Sequence, residues 1–132
     1  MKPQIDAVGY LTSDVARMKA FFVSVLGFEV IFEMEGNYVE FAQAGTRFAL
    51  SSHEVMKTAT GDNSYDEPKK GQVLELMFRC NDAADVDQSF ADIVSKGAIS
   101  IKEPADMPWG QRTAFFADPD GNIHELFCDL EG

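Results

Sequence analysis

Apolar and polar positions follow one order along the chain, and that order is written twice. Residues 5–11 read as a strand. Ser13-Asp14 then offers N-cap oxygens, and Val15, Met18, Phe21, Phe22, Val25 and Leu26 follow at helical intervals. Gly27 stands where the residue after a helix belongs. Residues 28–32, 38–42 and 47–51 predict strands, parted by turns at Glu35-Gly36-Asn37 and Ala44-Gly45. The second half repeats this. Residues 73–80 predict a strand, Asn81-Asp82 repeats the cap, and Val86, Phe90, Ile93 and Val94 form a helical stripe that stops at Gly97. Strands follow at 98–102, 111–117 and 123–128, with Asp118-Pro119-Asp120-Gly121 as a type I turn. Residues 53–71 are polar and without period, which predicts a linker long enough to act as a lid. The expected fold is α+β: a single domain over 1–132, with a first βαβββ module at 4–52, the linker at 53–71 and a second module at 72–130.

Strand alternation assigns faces. Leu74, Leu76 and Phe78 belong under the second helix, with Glu75, Met77 and Arg79 opposite. On the last strand Ile123, Glu125 and Phe127 share the helix-free face, while His124, Leu126 and Cys128 share the other. In the first module Phe48 and Leu50 go under the helix and leave Arg47, Ala49 and Ser51 free. If the free faces curve towards one another they make a concave cavity, with Glu75 and Glu125 pointing into it. His124 reads as a packing residue and His53 as a solvated loop residue. Asp118 and Asp120 read as turn formers that bond the backbone.

Composition narrows the function. The 132 residues are 45% hydrophobic and 25% charged, which is globular usage rather than disorder. Eleven basic residues against 22 acidic ones give a net charge of −11. That argues against a general nucleic-acid binder and disfavours an anionic membrane surface, but suits a cationic small molecule, or simply a soluble protein kept apart by repulsion. No apolar stretch approaches the roughly 20 residues of a membrane span, and the first residues carry no signal-peptide core. Cys80 and Cys128 lie in apolar runs without CxxC spacing or a partner His, so buried free thiols in a reducing cytoplasm are expected.

Two segments then resemble the vicinal oxygen chelate superfamily of glyoxalase I, extradiol dioxygenases, fosfomycin resistance proteins and bleomycin resistance proteins. One is Pro108-Trp109-Gly110-Gln111 followed by Asp118-Pro119-Asp120-Gly121-Asn122-Ile123-His124-Glu125-Leu126. The other runs from Asp14 through Phe21-Phe22 to Leu26-Gly27-Phe28-Glu29-Val30. The resemblance covers essentially the whole chain. It implies two paired βαβββ modules forming a cup-shaped eight-stranded sheet, often completed by a homodimer. It carries metal-ligand positions onto Ala7, Ala49, Glu75 and Glu125, and alanine offers no donor atom. The metal-free bleomycin-resistance-like branch is the most similar, and there the Trp-Gly motif supplies an aromatic that stacks on the ligand. The expectation is a small, cationic or aromatic ligand held by Trp109, Glu75, Glu125, Tyr38, Arg112 and Arg47, with no cofactor. The alternatives are a lyase or dioxygenase with a divalent metal on Glu75, Glu125 and a further ligand, and a non-catalytic dimeric interaction module. Arg79 and Arg112 are the candidate ion-pair partners of Glu75.

Overall fold

Strand, helix and three strands form twice over in the computed structural model of the chain, which describes residues 1–131. The first run is β1 (Ala7–Thr12), α1 (Val15–Ser24), β2 (Val30–Met34), β3 (Tyr38–Phe41) and β4 (Arg47–Ser52). The second is β5 (Met77–Arg79), α3 (Ala83–Ser95), β6 (Ile99–Met107), β7 (Gln111–Ala117) and β8 (Ile123–Asp129), with α2 (His53–Thr60) between the runs. The eight strands make two four-stranded sheets of matching order, β1-β4-β3-β2 and β5-β8-β7-β6. β1 pairs β4 in parallel, as β5 pairs β8, and the other pairings are antiparallel. Contacts divide the chain into two compact units, Met1–Lys69 and the residues from Lys70 onward. Among the described residues no helix is long and apolar enough to cross a membrane.

The helices start and stop where local chemistry dictates. Asp14 accepts a hydrogen bond from the Arg17 amide at 3.0 Å, and Asp82 one from the Asp85 amide at 2.8 Å. Each satisfies an amide that the helix itself leaves without an acceptor. Gly27 and Gly97 follow the helices with φ of 76° and 123°, a region that a Cβ disfavours. One face of each sheet is then covered. In the first unit Met18, Phe21 and Phe22 bury against Tyr10, Val39, Phe41, Phe48 and Leu50, with the Phe22 and Phe41 rings stacked at 5.4 Å. In the second, Val86, Phe90 and Ile93 cover Ala114, Phe116, Leu126 and Cys128. Burying one such large side chain is worth about 1.5–3 kcal/mol, which is what holds each helix down.

Three elements differ from the sequence expectation. The stretch 53–71 is not aperiodic: it carries α2 and a 3-10 turn at Asn63–Asp66. Ser52 caps α2 by accepting from the Val55 amide at 2.9 Å, and Gly61 ends it, but none of its residues is buried. β5 is three residues long: before Met77 the segment is held by one backbone rung, from the Glu125 amide to the Leu76 carbonyl, and by side-chain bonds of Gln72 and His124. β6 extends to Met107 with register shifts around Lys102, and Pro104 sits in the irregular stretch. An edge strand tolerates that proline because its missing N–H need not face a neighbour.

Candidate functional site

Glu125 lies in the middle of β8, between Met77 of β5 and Phe115 of β7. It is 8% exposed. Its carboxyl is pushed up to about 7, first by burial and then by hydrogen bonding and charge from Glu75. Glu75 and Glu125, both assigned to one face by strand alternation, are thus neighbours. Neither predicted arginine neutralises them. Arg79 bonds Asp129 at 2.9 Å and lies over the Phe127 ring, 4.7 Å from its centre. Arg112 bonds Asp87 at 2.8 Å and Asp106 at 3.0 Å on the face covered by α3, in register with buried Cys128. An open groove of about 390 Å³ lies beside Glu75, which lines it with Gln72, Val73, Leu74, Phe115 and Ile123. Its size suits a small ligand.

Side chains hold Glu75 in place. The Leu76 amide donates to His124 Nδ1 at 3.0 Å. Nδ1 thus accepts, so Nε2 is the donor to Asp118 Oδ2, 2.7 Å away. Asp118 and His124 are both fully buried. The other oxygen of Asp118 accepts from the amides of Asp120 and Asn122, which closes the predicted turn. Gln72 works on the same segment: its amide nitrogen donates to the Gly121 carbonyl at 2.8 Å, and its oxygen accepts from the Ile123 amide at 3.1 Å. A backbone rung from the Glu125 amide to the Leu76 carbonyl completes the attachment. His124, expected from the sequence as a half-buried packing residue, is fully buried and is also the acceptor for the segment carrying Glu75.

Trp109 stands in the turn between β6 and β7 and is 63% exposed. Its indole N–H donates to Gln111 Oε1 at 3.0 Å, and Gln111 donates in turn to Asp129. Gln111, which holds the indole, is four residues along β7 from Phe115, the residue opposite Glu125, a backbone span of roughly 14 Å.

Tyr38 and Arg47 belong to the first unit, where they serve an acid that the sequence reading passed over. Glu40 accepts from Arg47 Nη2 at 2.7 Å, Arg47 Nε at 3.0 Å and the Tyr38 hydroxyl at 2.8 Å. These bonds hold its carboxyl down at about 2, with the guanidinium as the main cause. Arg47 also reaches Asp6 at 3.0 Å and is raised by both acids, Glu40 first. The signal was available: alternation puts Tyr38 and Glu40 on one face of β3, and Arg47 lies on the adjacent antiparallel strand.

The four positions to which the resemblance carries metal ligands hold two methyl groups and two carboxylates. Among the described residues no three or more His, Cys, Asp or Glu gather so as to hold a metal ion. A catalytic transition metal usually takes three or more protein ligands, often with imidazole among them. The residues present do not fit one.

A repeated βαβββ unit with sheets ordered β1-β4-β3-β2 and β5-β8-β7-β6 is a vicinal-oxygen-chelate type of fold, and here its second unit carries the Glu75–Glu125 carboxyl pair. The chain belongs to the Glyoxalase/Bleomycin resistance protein/Dioxygenase superfamily, whose profile matches residues 4–126. It is 29% identical over 120 residues to the uncharacterized protein YraH of Bacillus subtilis (strain 168), covering 89% of this chain and 91% of that one. A glyoxalase/bleomycin resistance protein/dioxygenase from Nocardioides superposes with a TM-score of 0.88 at 25% identity, covering 100% of this chain and 87% of that one. Lactoylglutathione lyase from Agrobacterium tumefaciens shares the fold with a TM-score of 0.71 at 20% identity, over 95% of this chain and 92% of that one.

Proposed function

We propose that the chain is a binding member of its superfamily that takes up a small organic cation with an aromatic or apolar body, without a catalytic metal. The carrying observation is the Glu75–Glu125 pair: a carboxyl that is 8% exposed, faced by a second acid that lines a mostly apolar open groove. A buried carboxylate needs a compensating charge. Arg79 and Arg112 are committed to other acids, so an incoming ammonium or amidinium supplies the missing charge. The indole of Trp109 offers a stacking face, and the faces of tryptophan favour cations. An elongated, drug-like cation reaches both, which is in keeping with the bleomycin-resistance-like branch that the motifs resemble. The same reading has the chain act as a cytoplasmic homodimer. Its support is that Val8 and Leu11 on edge strand β1, and Met77 on edge strand β5, are exposed.

The test is a thermal-shift and calorimetry screen of aromatic amines and amidines of graded length, with neutral isosteres as controls. Cationic compounds are expected to raise the Tm and the isosteres to leave it unchanged. Glu125→Gln should weaken binding about tenfold or more, which is about 1.4 kcal/mol. Trp109→Ala should weaken only the longer compounds. The proposal fails if no cation shifts the Tm. It also fails if purified protein carries stoichiometric metal together with a turnover that a chelator abolishes; the lyase or dioxygenase reading would then replace it.

A further inference from the structure

We infer that Cys80 and Cys128 are a redox pair, which closes to an intramolecular disulfide between the β5 and β8 strands on two-electron oxidation. The pairing register gives the geometry. Met77, Phe78 and Arg79 stand opposite Glu125, Leu126 and Phe127 in a parallel ladder. One step further places Cys80 opposite Cys128. The Cys80 amide donates to the Phe127 carbonyl at 2.7 Å, the rung that this parallel pairing makes. Neighbouring strands run about 4.8 Å apart, inside the roughly 4.4–6.8 Å between Cα atoms that a disulfide spans. Alternation puts both side chains on the face covered by α3, with Phe78 and Leu126. Both thiols are free and buried, at 9% and 2% exposure.

Cys80 is the entry point. It is the less buried of the two and follows the last residue of an edge strand, with exposed Asn81 and Asp82 after it. Burial raises its thiol above the ordinary range, and the charge of Asp85 on α3 adds to this. Cys128 on β8 raises it further, while hydrogen bonds from Ser89 and the Phe127 backbone work the other way. The thiolate is the nucleophile, so reaction is slow at neutral pH and accelerates as pH rises. With hydrogen peroxide as the oxidant, the Cys80 thiolate attacks one peroxide oxygen. The O–O bond breaks, hydroxide leaves and takes up a proton as water, and Cys80 becomes a sulfenic acid. The Cys128 thiolate then attacks that sulfur. The S–O bond breaks, a second water leaves, and the disulfide forms. Two thiols and one peroxide thus give one disulfide and two waters. The latch ties the strand that carries Glu125 to the end of the strand that follows Glu75.

The experiment is peroxide titration of the full chain, followed by alkylation under denaturing conditions and intact-mass and peptide mass spectrometry. The expected result is the loss of both alkylatable thiols in the monomer and a mass lower by about 2 Da. A peptide containing Cys80 should be linked to one containing Cys128, all of it reversed by dithiothreitol and faster at pH 9 than at pH 7. Cys128→Ser should abolish the cross-link and leave Cys80 trappable as a sulfenic acid by dimedone. Three results would overturn the inference: addition of oxygen without cross-linking in the wild type, disulfides only between chains, or thiols that stay inert until the protein unfolds. Circular dichroism of Cys80→Ser and Cys128→Ser, each compared with wild type, separates loss of the pair from loss of the fold.

Discussion

Each sheet buries one glutamate on its helix-free face, and the two are treated in opposite ways. Glu40 and Glu125 are equally hidden, at 8% exposure each. Glu40 is met by a two-pronged guanidinium and a phenol, and its acidity is strengthened to a value of about 2. Glu125 is met by another acid, and its acidity is weakened to about 7. The first arrangement is what a fold does with a carboxylate it must house. The second costs stability whenever the group ionises, and among the described residues of its unit Arg79 and Arg112 are paired with other acids. That contrast, a carboxyl raised by a neighbouring acid rather than lowered by a cation, is what the proposed binding role rests on.

The contrast can be broken at its support, at its charge and at its counter-example. Asp118→Ala removes the acceptor of the His124 imidazole and of two turn amides, all buried or nearly so. It should destabilise the protein by about 3–5 kcal/mol, read by urea unfolding, because it leaves buried donors unpaired. A loss below about 1 kcal/mol would mean that the 72–76 segment does not depend on this relay.

The second experiment concerns the charge itself. Glu125 holds its proton more tightly in the fold than at its ordinary value of 4.5. The folded state therefore binds the extra proton between pH 4.5 and about 7, and stability contributed by the protonated form drains away as pH rises through that window. The full effect is about 3 kcal/mol at 1.4 kcal/mol per pKa unit. Wild type should lose stability over that range, whereas Glu125→Gln should be flat and more stable than wild type at pH 8. A wild-type profile that rises from pH 5 to 7.5 would contradict the pairing.

The smallest effect, and of opposite sign, belongs to Glu40. Its lowered acidity contributes stability present above pH 4.5 and lost as pH falls towards 2. Glu40→Gln should lower stability modestly at pH 7 and remove part of the acid limb. An unchanged acid limb would show that Arg47 and Tyr38 do not hold this carboxylate in solution.

How much of this was legible depends on how local the signal was. Caps at Asp14 and Asp82, and glycines at 27 and 97, act within a few residues, so both helices could be placed. Alternation likewise placed Glu75 beside Glu125 and left Arg47 on the free face. What failed needed partners from elsewhere. Nothing along α2 is buried, so no apolar period announced it; only the cap at Ser52 and the stop at Gly61 did. Leu74, Leu76 and Phe78 alternate as a long strand would, yet before Met77 a single backbone rung is joined by side-chain bonds of Gln72 and His124. Arg112 alternates onto the covered face of β7, where Asp87 of α3 and Asp106 of β6 claim it. Those partners lie 25 and 6 residues away.

Gln72 and His124 have one more implication. A backbone rung is the same whatever the residue, so evolution cannot retune it by changing one codon. A side-chain stitch can be shortened, lengthened or cut by a single substitution. Two such stitches fasten the stretch that presents Glu75, so the gap between the two acids is adjustable while the remaining strands stay in register. Position 72, exposed and free of the buried relay, is where a single substitution alters the spacing of Glu75 and Glu125 with the least disturbance to the sheet.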